Sequence, residues 1–168
     1  MKRAADPNAW MDKMPSAEFP SAIRQVFDFL CCDYSFREPM IAQTSLSLRL
    51  SYRANHVAVE VDVDFRDRAV EVALVWLLDG KRPDGWKIDS SGRQFMIRLF
   101  EAAWHRKVSN PRVAIPPDSS PQSILQLQLE AWAEQLRVHF GDVLADSDSL
   151  FLELDRQKRH KGGEHDVF

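Results

Sequence analysis

Residues 45–78 read SLSLRLSYRANHVAVEVDVDFRDRAVEVALVWLL and contain three runs of alternating apolar and polar side chains. In the first, Leu46, Leu48, Leu50 and Tyr52 interleave with Ser45, Ser47, Arg49 and Ser51. In the second, Val57, Val59, Val61 and Val63 interleave with Ala58, Glu60, Asp62 and Asp64. Successive side chains of a strand point to opposite sheet faces, so each run predicts a strand with one buried face. The third run, Val70, Val72, Leu74 and Trp76, alternates at first with Ala69 and Glu71, then turns apolar on both parities through Ala73, Val75 and Leu77. Its far end is therefore expected to be covered on both faces. Turns at Ala54-Asn55 and Arg66-Asp67 would close two antiparallel hairpins. The first would set Tyr52 beside Val57, Leu48 beside Val61 and Arg49 opposite Glu60. The second would set Val61 beside Val72, Val57 beside Trp76 and Glu71 opposite Asp62, with every apolar position on one face.

Upstream, Ile23, Val26, Phe27, Leu30 and Tyr34 recur at the spacing of one helical face behind Ser21, which predicts a helix over 21–33. Downstream, Asp79 to Gly85 is a loop by composition, and a helix is expected to resume at Ser91 or Gly92 carrying Phe95, Leu99, Ala102 and Ala103. Val113-Ala114-Ile115, between Pro111 and Pro116-Pro117, reads as a short added strand or a stiff connector. Ser120-Pro121 opens the clearest helix, carried by Leu125, Leu129, Trp132, Leu136 and Phe140 and closed by Gly141. A last helix fits 148–158, with Leu150, Phe151 and Leu154 on its apolar side and Asp146 or Asp148 as its cap. The expected architecture is α+β: a three-stranded antiparallel meander, four-stranded if 113–115 joins it, packed against the N-terminal helix and the C-terminal helices. Residues 1–20 read as an irregular arm, 21–158 as a single domain and 159–168 as a flexible tail.

The chain has 168 residues, suited to one core, and its 45% apolar and 28% charged composition is that of a globular domain. Its 22 Lys and Arg against 25 Asp and Glu give a net charge of −3, which argues against nucleic acid as a partner. Asp6-Pro7 follows the two N-terminal basic residues where an export signal needs an apolar run, and the longest apolar run, Val72 to Leu78, has seven residues. Spanning a bilayer takes about 20. With its only cysteines adjacent at 31 and 32, the chain is expected to be cytoplasmic, without a disulfide framework and without membrane contact.

No nucleophile elbow, phosphate loop or dinucleotide fingerprint is present, and the six glycines are scattered at 80, 85, 92, 141, 162 and 163. His56, His105, His139, His160 and His165 show no zinc-ligand spacing, so no metal and no cofactor is expected. The acidic constellation is Glu60, Asp62 and Asp64 at alternate strand positions, joined by Glu71 through the register. Such a face reads as a solvated surface with Arg49 compensating Glu60, as a docking surface for a cationic protein, or as a divalent-metal site. Charge also segregates along the chain. Lys81 to Lys107 holds seven basic and three acidic residues, and Asp118 to Asp155 holds eight acidic residues and one arginine.

Phe27-Asp28-Phe29-Leu30, Asp33-Tyr34-Ser35-Phe36 and Tyr52 through Val61 resemble the opening helix and strand meander of many small bacterial α+β proteins, and Phe140 through Asp146 resembles their closing helix. The likeness covers about half the chain, and some of these proteins are immunity partners of polymorphic or contact-dependent toxins. It implies a non-catalytic cytoplasmic protein that neutralises a toxin by binding it. The likeness carries no site with it, and the binding surface expected from the strand pattern is the acidic face of Glu60, Asp62, Asp64 and Glu71. The alternatives are a metal-dependent hydrolase using the same carboxylates, and an assembly subunit docking through an arm of Trp10, Met11, Met14 and Phe19.

Overall fold

A computed structural model describes residues 18–145 and 147–162. The arm residues Trp10, Met11 and Met14, the tail from 163 and the alternative cap Asp146 lie outside the described residues. The elements run α1 (Glu18–Val26), α2 (Phe29–Tyr34), β1 (Arg37–Gln43), β2 (Ser47–Arg53), β3 (Val57–Asp64), β4 (Ala69–Trp76), β5 (Met96–Arg98), α3 (Leu99–His105), α4 (Pro121–His139), α5 (Gly141–Leu144) and α6 (Ser149–Gly162). The class is α+β, built on one antiparallel sheet in the order β1-β2-β3-β4-β5.

The β2–β4 meander stands as the alternation predicts, with one change of register. The second hairpin pairs Val61 with Val72, Val57 with Trp76 and Asp62 with Glu71. The first pairs Leu48 with Val63 and Tyr52 with Val59, because Ala54 N donates to Val57 O (2.8 Å) and the turn falls on Asn55-His56, one residue later than expected. Moving the turn by one residue moves each partner by two, so every side chain keeps its face. It changes neighbours instead: Arg49 lies opposite Asp62, and Glu60 opposite Ser51.

The sheet has five strands where three or four were expected. β1 escapes the alternation test because it is an edge strand with Met40 and Ile41 exposed, and because Pro39 looks like a breaker. Proline is tolerated at an edge, where its missing N–H is not needed. β5 occupies residues expected to be helical, so α3 starts at Leu99, and 113–115 is an irregular connector.

The expected 21–33 helix is two helices with a turn at Phe27-Asp28, and the first begins at Glu18, inside the expected arm. Residues two apart on one straight helix point in nearly opposite directions. The break lets both Phe27 and Phe29 be buried, with ring centroids 6.2 Å apart. Phe19 is likewise buried, edge-on against Phe65 at 5.8 Å, and so belongs to the core rather than to a docking arm.

One sheet face, carrying Leu48, Leu50, Val57, Val59, Val61, Val63, Val70 and Val72, forms the main core with α1, α2 and the C-terminal helices. Leu46 precedes β2 and stays exposed. α4 starts on Ser120, whose hydroxyl accepts from Ser123 N (3.1 Å), and buries Leu125, Leu129 and Leu136. Gly141 opens α5 instead of closing α4, and α6 runs four residues past the expected Lys158 to Gly162. Trp76 packs on Phe151 at 6.0 Å, so α6 covers the end of β4.

Two arginines of the basic segment pair with carboxylates of the acidic one. Arg93 reaches Asp155 (3.6 Å), and Arg106 forms a two-bonded pair with Asp142 (2.7 and 2.6 Å) while donating to His139 O. The Arg106 hydrogen bonds hold the Asp142 carboxyl below the ordinary aspartate range, against the opposing effect of partial burial. A carboxyl with a lowered folded-state pKa stabilises fully above its unfolded value of about 4, and that contribution is lost as pH falls through the folded value. The gap in Tm between wild type and Asp142→Asn should therefore be widest near neutrality and close on acidification towards pH 3. A gap that stays constant with pH would remove this pair from the acid response.

Candidate functional site

The opposite sheet face carries Ala58, Glu60, Asp62 and Asp64 on β3, with Glu71, Ala73 and Val75 beside them on β4. One half is covered. The segment following β4 folds back as a strap, and Leu77, Phe95 and Met96 make a second, smaller core with Ala58, Ala73 and Val75. This is the cover expected over the far end of β4. The strap is tied down by Leu77 N donating to His56 O (2.6 Å), Trp76 N to Phe95 O (2.7 Å) and Phe95 N to Lys87 O (2.9 Å). Asp89 Oδ1 accepts from Ser91 N and Arg93 N and fixes the strap's far turn. At Gly85 the backbone has φ +112°, and a Cβ there would meet Ile88 O at 2.5 Å, so only glycine closes the bend.

Glu60 lies under this strap, which corrects the expectation that all four carboxylates share one open face. It is 3% exposed, and its Oε1 faces Arg82 Nε at 3.2 Å; Arg82 in turn lies over the Phe95 ring, 5.4 Å from its centroid. The charge is a structural pin between sheet and strap. Removing one partner of a buried pair costs about 3–5 kcal/mol because the other charge is left stranded. Arg82 keeps 27% of its side chain exposed, so Arg82→Ala should cost about 3 kcal/mol in urea unfolding. Replacing both, as Glu60→Leu with Arg82→Met, should recover most of that loss. A loss under about 0.5 kcal/mol for Arg82→Ala would show that the pair does not hold the strap.

The other half of the face is open. Asp62, Asp64 and Glu71 line a groove of about 330 Å³ together with Asp67, Arg49 and Arg98. Arg49 Nε donates to Asp62 Oδ1 (2.6 Å), and Arg98 Nε lies 3.3 Å from Glu71 Oε2. The two carboxylates that face each other across the register therefore each have a guanidinium. Asp64 Oδ1 accepts from Asp67 N (2.9 Å), which shapes the β3–β4 turn. Four carboxylates against two guanidinium groups leave the lining with a charge of −2. Trp86 of the strap forms one wall and is 63% exposed. Asp67 is paired with Arg66 from outside the lining (3.2 Å), which leaves Asp64 as the groove carboxylate not engaged by an arginine among the described residues. An indole beside it suits a cation through ion pairing and cation–π attraction.

Asp67 and Trp86 were missed by sequence reasoning. Asp67 was read as turn residue only, although Asp64 and the turn place it beside the strand carboxylates. Trp86 falls between the Asp79–Gly85 loop and the helix expected from Ser91, in a stretch the sequence reading leaves unassigned, where a large aromatic flanked by Gly85 and Lys87 is the available signal. Among the described residues no cluster of three or more His, Cys, Asp or Glu is placed to hold a metal ion, and no helix is long and apolar enough to cross a membrane. Compared with protein-family models, curated proteins and solved structures, the chain matches none.

Proposed function

We propose that this chain is a binding protein of the immunity type, which neutralises a bacterial toxin by occluding a cationic surface of it with the acidic groove. The observation that carries this reading is the groove itself: Asp62, Asp64, Asp67 and Glu71 outnumber Arg49 and Arg98, and Trp86 stands exposed at its rim. An exposed, net-negative concavity on a rigid sheet steers a positive partner and fixes its orientation. Glu60 drops out of the contact set and keeps the strap, and hence Trp86, in place. The metal-hydrolase alternative is disfavoured because Asp62 and Glu71 are engaged by arginines, whose positive charge opposes a divalent cation at the same oxygens. Cytoplasmic action and the absence of catalysis are parts of the same reading.

The test is co-expression with the product of the neighbouring reading frame. Wild type should restore growth against that product and co-purify with it one to one, and the Asp62→Asn/Glu71→Gln variant should do neither. Restored growth without a complex, or a complex unaffected by the double change, would contradict the reading.

A further inference from the structure

The acidic groove continues beyond the sheet face. Through Glu71 and Ala69 it borders a second depression of about 330 Å³ at the outer edge of β4, walled by Phe100 and Trp132. β5 pairs only with Ala73–Val75, so Ala69–Val72 lies past its end and the sheet edge is open to this depression. Gln128 protects part of that edge: its side-chain amide accepts from Val70 N (3.0 Å) and donates to Arg68 O (2.8 Å), as a neighbouring strand would. Through Phe100 and Asn110 the second depression borders a third, of about 490 Å³, along α3, where Trp104 is 72% exposed.

The three depressions make one path with a gradient of chemistry. Its first part is acidic, with a net charge of −2. Its middle shares the single carboxylate of Glu71. Its last part is aromatic, and the Lys87–Glu101 pair there (2.6 Å) is self-neutralised. The path also turns over the sheet edge. Met96 and Arg98 register with Val75 and Ala73 on the acidic face, whereas Ile97 registers with Leu74 of the main core, and α3 begins directly after Arg98. A straight helix or a flat protein face cannot follow a surface that passes from one sheet face around its edge to a helix. An extended segment can.

Resting on the reading of the acidic groove as the partner site, we infer that the recognised element is an extended segment of the partner protein in which basic residues are followed, after a short spacer, by an aromatic or large aliphatic residue. The basic side chains enter between Trp86 and the carboxylates, the chain crosses the open edge of β4 beside Asn110, and the apolar side chain lies against Phe100 and Trp104. Charge complementarity selects one end and aromatic contact the other, so neither half alone uses the whole path.

Three fluorescein-labelled synthetic peptides test this with the full-length protein: two arginines, two glycines, tryptophan and leucine; the same with both arginines replaced by glutamine; and the same with tryptophan and leucine replaced by glycine. In fluorescence anisotropy the first should bind at least about tenfold more tightly than either of the others. Glu71→Gln should erase the gain from the arginines and Trp104→Ala the gain from the apolar pair. Both changes are at exposed side chains, and unchanged circular dichroism and Tm will show that the fold is kept. If the arginine-only peptide binds as tightly as the full one and Trp104→Ala has no effect, the inference falls and the acidic-groove reading stands. If the apolar peptide binds alone and Glu71→Gln has no effect, both fall. Failure of the full peptide to bind overturns the inference, as does a concentration-dependent dimer abolished by Trp104→Ala, which would assign the aromatic part to a second copy of the chain.

Discussion

Val61→Asp is expected to unfold the domain or sharply lower its melting point. Val61 is fully buried on β3, the central strand, between Leu50 and Val72, on the face that meets the helices. Aspartate there would bring a charge into an apolar environment with no partner, a cost of roughly 4 kcal/mol or more against a typical total stability of about 5–15 kcal/mol. Val61→Ala, which removes only methyl groups, should cost about 2 kcal/mol and keep a cooperative transition. Urea unfolding of the two variants separates an unpaired charge from lost packing. A loss below about 1 kcal/mol for Val61→Asp would mean that Val61 does not face the core.

How much of this was legible in the sequence follows from the kind of burial each element has. β2, β3 and β4 each bury one face against helices, so polar and apolar residues must alternate, and the pattern is visible without knowing what covers them. α4 was legible because Ser120 and Pro121 are a chemical start signal and Leu125, Leu129 and Leu136 a spatial one. β1 and β5 were not. An edge strand with Ile41 exposed and a three-residue strand carrying Met96 and Ile97 have too little one-sided burial to leave a period. The Phe27-Asp28 break was hidden because Ile23, Phe27 and Leu30 fit one continuous stripe; only Phe29, also buried, falls off it.

The site divides the same way. Asp62, Asp64 and Glu71 were placed on one face by parity alone, and the structure puts them in one groove. Glu60 satisfied the same parity but lies under the strap. Its neighbours Ala58, Ala73 and Val75 were the warning, because apolar residues on a nominally polar face mean that something covers it there. The register error mattered more than its size suggests. With Arg49 opposite Glu60, Asp62 and Glu71 would repel each other, and replacing both with lysine or glutamine would relieve strain. With Arg49 on Asp62 and Arg98 on Glu71, lysines would instead face arginines, so the informative change is the neutral, isosteric one.

That change, Asp62→Asn with Glu71→Gln, takes the groove from a charge of −2 to zero while keeping hydrogen-bond acceptors for Arg49 and Arg98. Both residues are partly exposed, and each ion pair is worth about 0–1 kcal/mol to the fold, so the domain should remain folded with a slightly lower Tm. Its effect belongs to binding, where losing two charges from an acidic receptor should weaken a cationic partner by a hundredfold or more, on the order of 3 kcal/mol. The most direct measurement is calorimetric titration of wild type and this variant with the purified product of the neighbouring reading frame, at about 50 and 300 mM salt, a range over which electrostatic screening shortens markedly. The predicted result is one-to-one binding by wild type that weakens as salt rises and is lost in the variant at both salts. Equal affinity of the two proteins at low salt would contradict the acidic groove as the partner-binding site.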